Sequence, residues 1–213
     1  EAYRERAELS GYTVVDPISV LATHLTEVVK GHCDELLGRQ DVQTLIDSVK
    51  QDHPAVVSEL VPAMLSVGDI QKVLVCLLKE RVSVRDLVSI METLADTATF
   101  TKDPEVLAEY VRRTLSRNIS RQYIQNNTLT CITLDPQTEN QIVSGVQHSD
   151  RGSFVNLDPG SMQQFINSLS SEIQKLTATG FHPVLLTCPA LRLFVWEFTE
   201  HTETKQNIWK SAK

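Results

Sequence analysis

Glycine is scarce in this chain. Eight glycines among 213 residues leave little material for a loop that cradles phosphate, and neither GxGxxG nor GxxxxGK[ST] occurs. GxSxG is missing too, so no strand-to-helix elbow presents a nucleophilic serine. Basic charge is also in deficit: 20 Lys and Arg stand against 27 Asp and Glu, a net charge of −7. That argues against a general nucleic-acid binder, which needs a basic field to offset phosphate. No apolar run approaches the roughly 18 residues that would suggest a membrane span. Nor does a basic-then-apolar segment stand at the start. The abrupt opening EAYRERAEL reads as the inside of a helix, and the expectation is a fragment of a longer protein. The four cysteines, Cys33, Cys76, Cys131 and Cys188, are far apart and form no CxxC. Three sit among apolar neighbours, which predicts buried thiols in a reducing compartment.

What remains is ordinary for a soluble globular protein, with 41% hydrophobic and 22% charged residues. Residues 1–10 read as the end of an amphipathic helix, with Tyr3, Ala7 and Leu9 inward. Gly11–Gln40 organises the rest. Tyr12–Val15 is β-like, and Asp16-Pro17 then stops it and caps a helix. Val20, Leu21, Leu25, Val28 and Val29 form its apolar stripe. Leu36 and Leu37 extend it, and Gly38 is expected at the left-handed position after the helix. Arg39–Asp52 is a second helix, with Val42, Leu45, Ile46 and Val49 at i, i+3, i+4 and i+7. His53-Pro54 ends it. A short helix around Val56–Val61 stops at Pro62. Gly68-Asp69 opens another, with Lys72, Lys79 and Glu80 facing out. Ser83 is expected to cap the next, with Asp86 completing a capping box. A long helix is predicted from Asp103-Pro104 to Ser120. Residues 17–123 are therefore expected to be five or six helices in a bundle-like arrangement, without a fixed repeat.

The pattern changes after Tyr123. Thr128–Leu134 is β-rich, Glu139–Gln147 a short helix, Gly145–Gly152 a polar and mobile-looking link, and Phe154-Val155 extended. Asp158-Pro159 caps a strong helix that ends at Gly180. Pro183–Cys188 reads as a buried strand, and Pro189 starts a last helix. Residues 124–200 are thus expected to be a small α/β subdomain with helices on a short sheet. The fold class expected for the whole is a helical subdomain followed by that α/β unit.

Chemistry-bearing residues do not gather into a recognisable site. His24 and His32 lie eight apart, too far for the i, i+4 pair that clasps zinc. Ser, His and Asp are present without a nucleophile context, so no catalytic, metal or cofactor residue is assigned. Arg113, Arg117 and Arg121 recur every four residues, with Arg112 adjacent. They read either as a solvated face near a helix C-terminus or as a contact for an acidic neighbouring subunit. Aromatics that would stack bases are not interleaved with them. Thr23, taken by itself, is a β-branched residue whose hydroxyl can bond the preceding turn.

GYTVVDP, LATHL and ELLGRQ closely resemble the cytoplasmic domain of the flagellar export-gate protein, the FlhA family, whose homologues serve virulence type III secretion. LVPAMLS, KVLVCLLKERVSVRDLVSIMETLAD, DPEVLAEYVRRTLSRNI and HPVLLTCPALR extend the match to about Trp196. The resemblance implies a membrane part followed by four cytoplasmic subdomains. Residues 1–16 would be the tail of a preceding portion, 17–123 the third subdomain and 124–200 the fourth. Membrane attachment would come only through a preceding part, placing this chain at the cytoplasmic face of the bacterial inner membrane. It also implies a nine-membered ring beneath the export channel, docking chaperone–substrate complexes and other export components, with no enzymatic activity. Thr23, in the ATHL motif, matches a threonine in the wall of the family's chaperone-docking cleft. The remainder of that cleft would lie upstream. After ALRLFVWEFT the family continues to a closing strand, whereas residues 201–213, HTETKQNIWKSAK, look like a loop with an isolated Trp209. That departure would leave a sheet edge unpaired. A different class, a small regulatory domain with a ligand-binding α/β lobe, would need a phosphate loop that the sequence lacks. A hydrolase would need Ser, His and Asp to converge in space.

Overall fold

The structure, a computed structural model, describes residues 2–149 and 152–200. The atypical tail, with Trp209, lies outside the described residues. Two compact units divide after Ala108.

The first unit is helical. α1 (Ala2–Leu9) leads through an irregular turn into α2 (Pro17–Gly31), followed by α3 (Cys33–Leu36), α4 (Arg39–Asp52), α5 (Pro54–Leu60), α6 (Val67–Lys79), α7 (Leu87–Thr97) and the start of α8 (Pro104–Thr114). α4 packs on α5, α6 and α7, α5 on α7, and α3 on α6. The core draws Val42, Ile46 and Val49 from α4, Leu60 from α5, Val73, Leu74 and Leu77 from α6, and Ile90 and Leu94 from α7. These are the positions the helical spacing picks out, because one stripe per helix must leave water.

Caps explain where the helices start. The Asp16 carboxylate accepts from the backbone N–H of Ile18 at 2.9 Å and of Ser19 at 3.1 Å, satisfying orphan donors of the first turn. Ser66, not Gly68, opens α6: its hydroxyl accepts from Asp69 N at 3.2 Å while the Asp69 carboxylate accepts from Ser66 N at 3.1 Å. Asp86, not Ser83, caps α7, accepting from Ser89 N at 3.3 Å.

Other expectations are corrected. Tyr12–Val15 forms no strand, since no neighbouring strand among the described residues offers a ladder; Tyr12 and Val15 are exposed. Tyr3 and Leu9 are exposed rather than inward. α2 ends at Gly31, and Gly38 has φ −81° as the N-cap of α4 instead of a left-handed residue. Asp41 dictates this by accepting from Gly38 N at 2.9 Å. Glu80 is buried rather than outward. The long helix from Pro104 breaks at Leu115 into α8 and α9 (Ser116–Arg121). All four cysteines are half-buried and unpaired by disulfide. Burial raises the Cys76 thiol above its ordinary range, helped by the nearby Glu105.

The second unit mixes helix and strand. β1 (Ile132–Thr133) pairs in parallel with β4 (Leu185–Leu186), with Ile132 opposite Leu185. Between them come α10 (Pro136–Gly145), the antiparallel pair β2 (Val146–Ser149) and β3 (Gly152–Val155), and α11 (Pro159–Ala178). α12 (Pro189–Glu200) closes the described chain. The link expected at Gly145–Gly152 is therefore largely strand, and α10 starts at Pro136 because Asp135 caps it. The core joins Ile142, Phe165, Leu169, Ile173, Leu185, Leu191 and Val195. One carboxylate locks two helices across 83 positions of sequence: Arg192 of α12 donates through Nε to Glu109 of α8 at 2.7 Å, and through a second nitrogen to the other oxygen. Arg112, also buried, lies 3.8 Å from the same carboxylate. Gly180 follows α11 at φ +81°, a conformation that glycine adopts without strain.

Candidate functional site

α2 is the element on which the candidate site rests. None of its residues is buried. Its apolar side chains are open to solvent: Ile18 at 78%, Leu21 at 66% and Leu25 at 59%, with Val28 and Val29 also exposed. At about 100° per residue these five, with Ala22, fall on one side of the helix. Val20, expected among them, projects the other way. A stripe of this size left in water costs free energy, about 25 cal/mol per Å² of apolar surface, and an exposed contiguous apolar face marks a contact surface.

Thr23 occupies the opposite side, with Ser19, Thr26, Glu27 and Lys30. Its hydroxyl donates to the Ser19 carbonyl at 2.8 Å, and Thr26 donates likewise to Ala22. Both hydroxyls are thus satisfied within the helix, leaving the Thr23 methyl as its outward chemistry. Lys30 and Glu27 pair at 2.9 Å, and the hydrogen bond from Lys30 lowers the Glu27 carboxyl below its usual range. The polar side is therefore mixed in charge, and it stays presentable when the apolar side is covered.

His24 and His32 both lie at the surface. His24 is exposed, and His32 pairs through Nδ1 with Glu35 at 2.9 Å on the surface. No group of His, Cys, Asp and Glu among the described residues could hold a metal ion. The second unit has an open groove of about 470 Å³ between β1, α10 and α11. Its two carboxylates are occupied: Asp135 caps α10, held below the usual carboxylate range by the Thr138 hydroxyl, and Glu172 accepts from Lys175 at 2.6 Å. Neither histidine nor cysteine lines it, and its other polar side chains are hydroxyls and carboxamides.

The three arginines keep their periodicity. Val111, Leu115 and Ile119 are buried, and Arg113, Arg117 and Arg121, each two positions on, are exposed. Arg113 lies 5.7 Å above the Tyr110 ring. Arg112 departs from the group, being buried beside Glu109. The Glu109–Arg192 clasp was invisible in the sequence, because no local pattern links residues 83 apart.

No helix among the described residues is long and apolar enough to cross a membrane. A family model described as FHIPEP family matches residues 1–210. The flagellar biosynthesis protein FlhA of Bacillus subtilis is 42% identical over 201 residues, covering 94% of this chain and 30% of that protein. The FlhA of Borreliella burgdorferi is 44% identical over 190 residues, covering 89% and 27%. This chain thus spans under a third of these relatives. Among solved structures, the Chlamydia pneumoniae CdsV and CdsO protein complex matches with a TM-score of 0.81 and 28% identity, over 98% of this chain and 61% of that one. The cryo-EM structure of nonameric EPEC SctV-C matches with a TM-score of 0.77 and 29% identity, over 95% and 61%.

Proposed function

The chain belongs to the FHIPEP family, and on that premise we propose that it is the cytoplasmic part of a type III export gate that docks cargo and assembles into a ring. Its fold is that of the matching type III export-gate domains, and its similarity to flagellar biosynthesis proteins favours the flagellar system. The activity is binding, without catalysis, and requires no cofactor. The subdomain division proposed is 17–123 helical and 124–200 α/β, at the cytoplasmic face of the inner membrane.

The observation that carries the reading is the two-sided α2. Its apolar side, on which no residue is buried, is the kind of surface that further polypeptide covers, and the relatives are more than three times longer. Covering that side leaves Thr23 facing outward as part of a docking wall for export chaperone–substrate complexes. Ring assembly is supported by the likeness to a nonameric assembly, and contact with other export components by the likeness to a CdsV–CdsO complex.

The test is calorimetric titration of the full-length protein's cytoplasmic part with an export chaperone–substrate complex. Thr23→Met adds bulk on an exposed helix face without breaking the fold, and it is expected to weaken binding about tenfold or more, near 1.4 kcal/mol. Unchanged affinity would refute the assignment of Thr23.

A further inference from the structure

We propose that the outward arginine row of α8–α9 is one half of a head-to-tail contact between copies of this chain, and that the outward acidic row of α7 is the other half. This inference rests on the ring reading above and names the surface that would make it.

The geometry comes from two helices built alike. The break at Leu115 does not turn the chain aside, since Leu115 N donates to Val111 O at 2.9 Å and Ile119 N to Leu115 O at 2.9 Å. With Val111, Leu115 and Ile119 buried at 0, 2 and 3%, Arg117 and Arg121 stand on the far side. Neither makes an ion pair among the described residues. α7 repeats the arrangement with opposite sign. Ile90, Leu94 and Ala98 are buried, and Glu92 and Asp96, each two positions on, are exposed without an ion pair among the described residues. Several other acids are engaged, Glu27 by Lys30, Glu35 by His32, Asp69 by Ser66 and Lys72, and Glu172 by Lys175, while Asp52, Glu59 and Glu105 are exposed singly on other helices.

Both rows repeat every four residues, which is about 6 Å along a helix axis. Two charges in each row therefore meet in register. A contact joining two different patches is heterologous, and such contacts close into rings when the rotation per subunit permits. The net charge of −7 sharpens the preference. Copies of this chain repel one another at long range, and docking requires a local positive surface facing a local negative one. Nucleic acid is the poorer occupant, because its stacking aromatics are missing from the row.

Sedimentation velocity on the chain decides it, with circular dichroism confirming that each variant is folded. Wild type is expected to associate with rising concentration, and to do so less as salt rises past the point where the Debye length falls below about 8 Å. Arg117→Glu with Arg121→Glu is expected to lower the association constant at least about tenfold. Glu92→Lys with Asp96→Lys is expected to do the same. Combining all four changes restores the net charge of −7 and opposite-signed rows, and is expected to recover association. Association that survives either pair of reversals, or that the fourfold variant fails to recover, would overturn this contact while leaving ring assembly standing. A wild type that stays monomeric at every concentration would overturn both.

Discussion

At Glu109 a single carboxylate faces two buried guanidinium groups. Arg192 and Arg112 expose 6% and 4% of their side chains and Glu109 exposes 18%. Desolvating charges is costly, and the pairing offsets that cost only while both signs are present. Glu109→Gln is therefore expected to destabilise the second unit on the order of 2–4 kcal/mol. That is below the loss for a wholly buried pair, because Glu109 keeps some solvent. Urea unfolding followed by circular dichroism would measure it. Replacing Glu109 and Arg192 together by Met is expected to cost less than Glu109→Gln alone. Nothing in the sequence marked this pair. Thr23 is the converse: its proposed role rests on the ATHL motif alone, since a threonine bonded to its own preceding turn resembles many helix residues.

Helix starts follow from short-range chemistry, and most could be read from Asp-Pro pairs. Asp16, Asp135 and Asp158 each cap a helix that begins with proline. Hydroxyls of Ser19, Thr138 and Ser161 hold these carboxyls below the ordinary range, and Ser66 does the same for Asp69. A folded pKa below the unfolded value means that the stabilisation is present above the unfolded pKa, near 3.9. It is lost as pH falls through the lower, folded values. Thermal melts are thus expected to be flat in these contributions from pH 7 to about 5, and to fall below about pH 4. The elements that sequence misplaced depend on partners instead. Tyr12–Val15 has strand character and no strand beside it. Gly145–Gly152 looks like a link, yet Val146–Ser149 finds Gly152–Val155 across a ladder. On α2, periodicity located the stripe except for Val20, but it could not say that this chain leaves it uncovered. Leu21→Ser with Leu25→Ser is accordingly expected to change the stability of this chain by less than about 0.5 kcal/mol. Leu74→Ala, at a position 1% exposed, is expected to cost about 2–5 kcal/mol. Chemical denaturation of both variants separates an exposed contact face from a core.

At the scale of the molecule, the helical run followed by a small α/β unit was readable from periodicity and from the change after Tyr123. The packing divides earlier, after Ala108 within α8, because helix boundaries report local chemistry and compactness reports tertiary contact. What the molecule offers to others is surface: an uncovered apolar side of α2, a positive row on α8–α9 and a negative row on α7. The central proposal is that the two charged rows join copies of the chain into a ring. Native mass spectrometry of the assembled species at low ionic strength tests it most directly. A closed complex with a fixed subunit number, nine as in the nonameric SctV-C assembly, is the expected result, and a chain that remains monomeric at every concentration would contradict it.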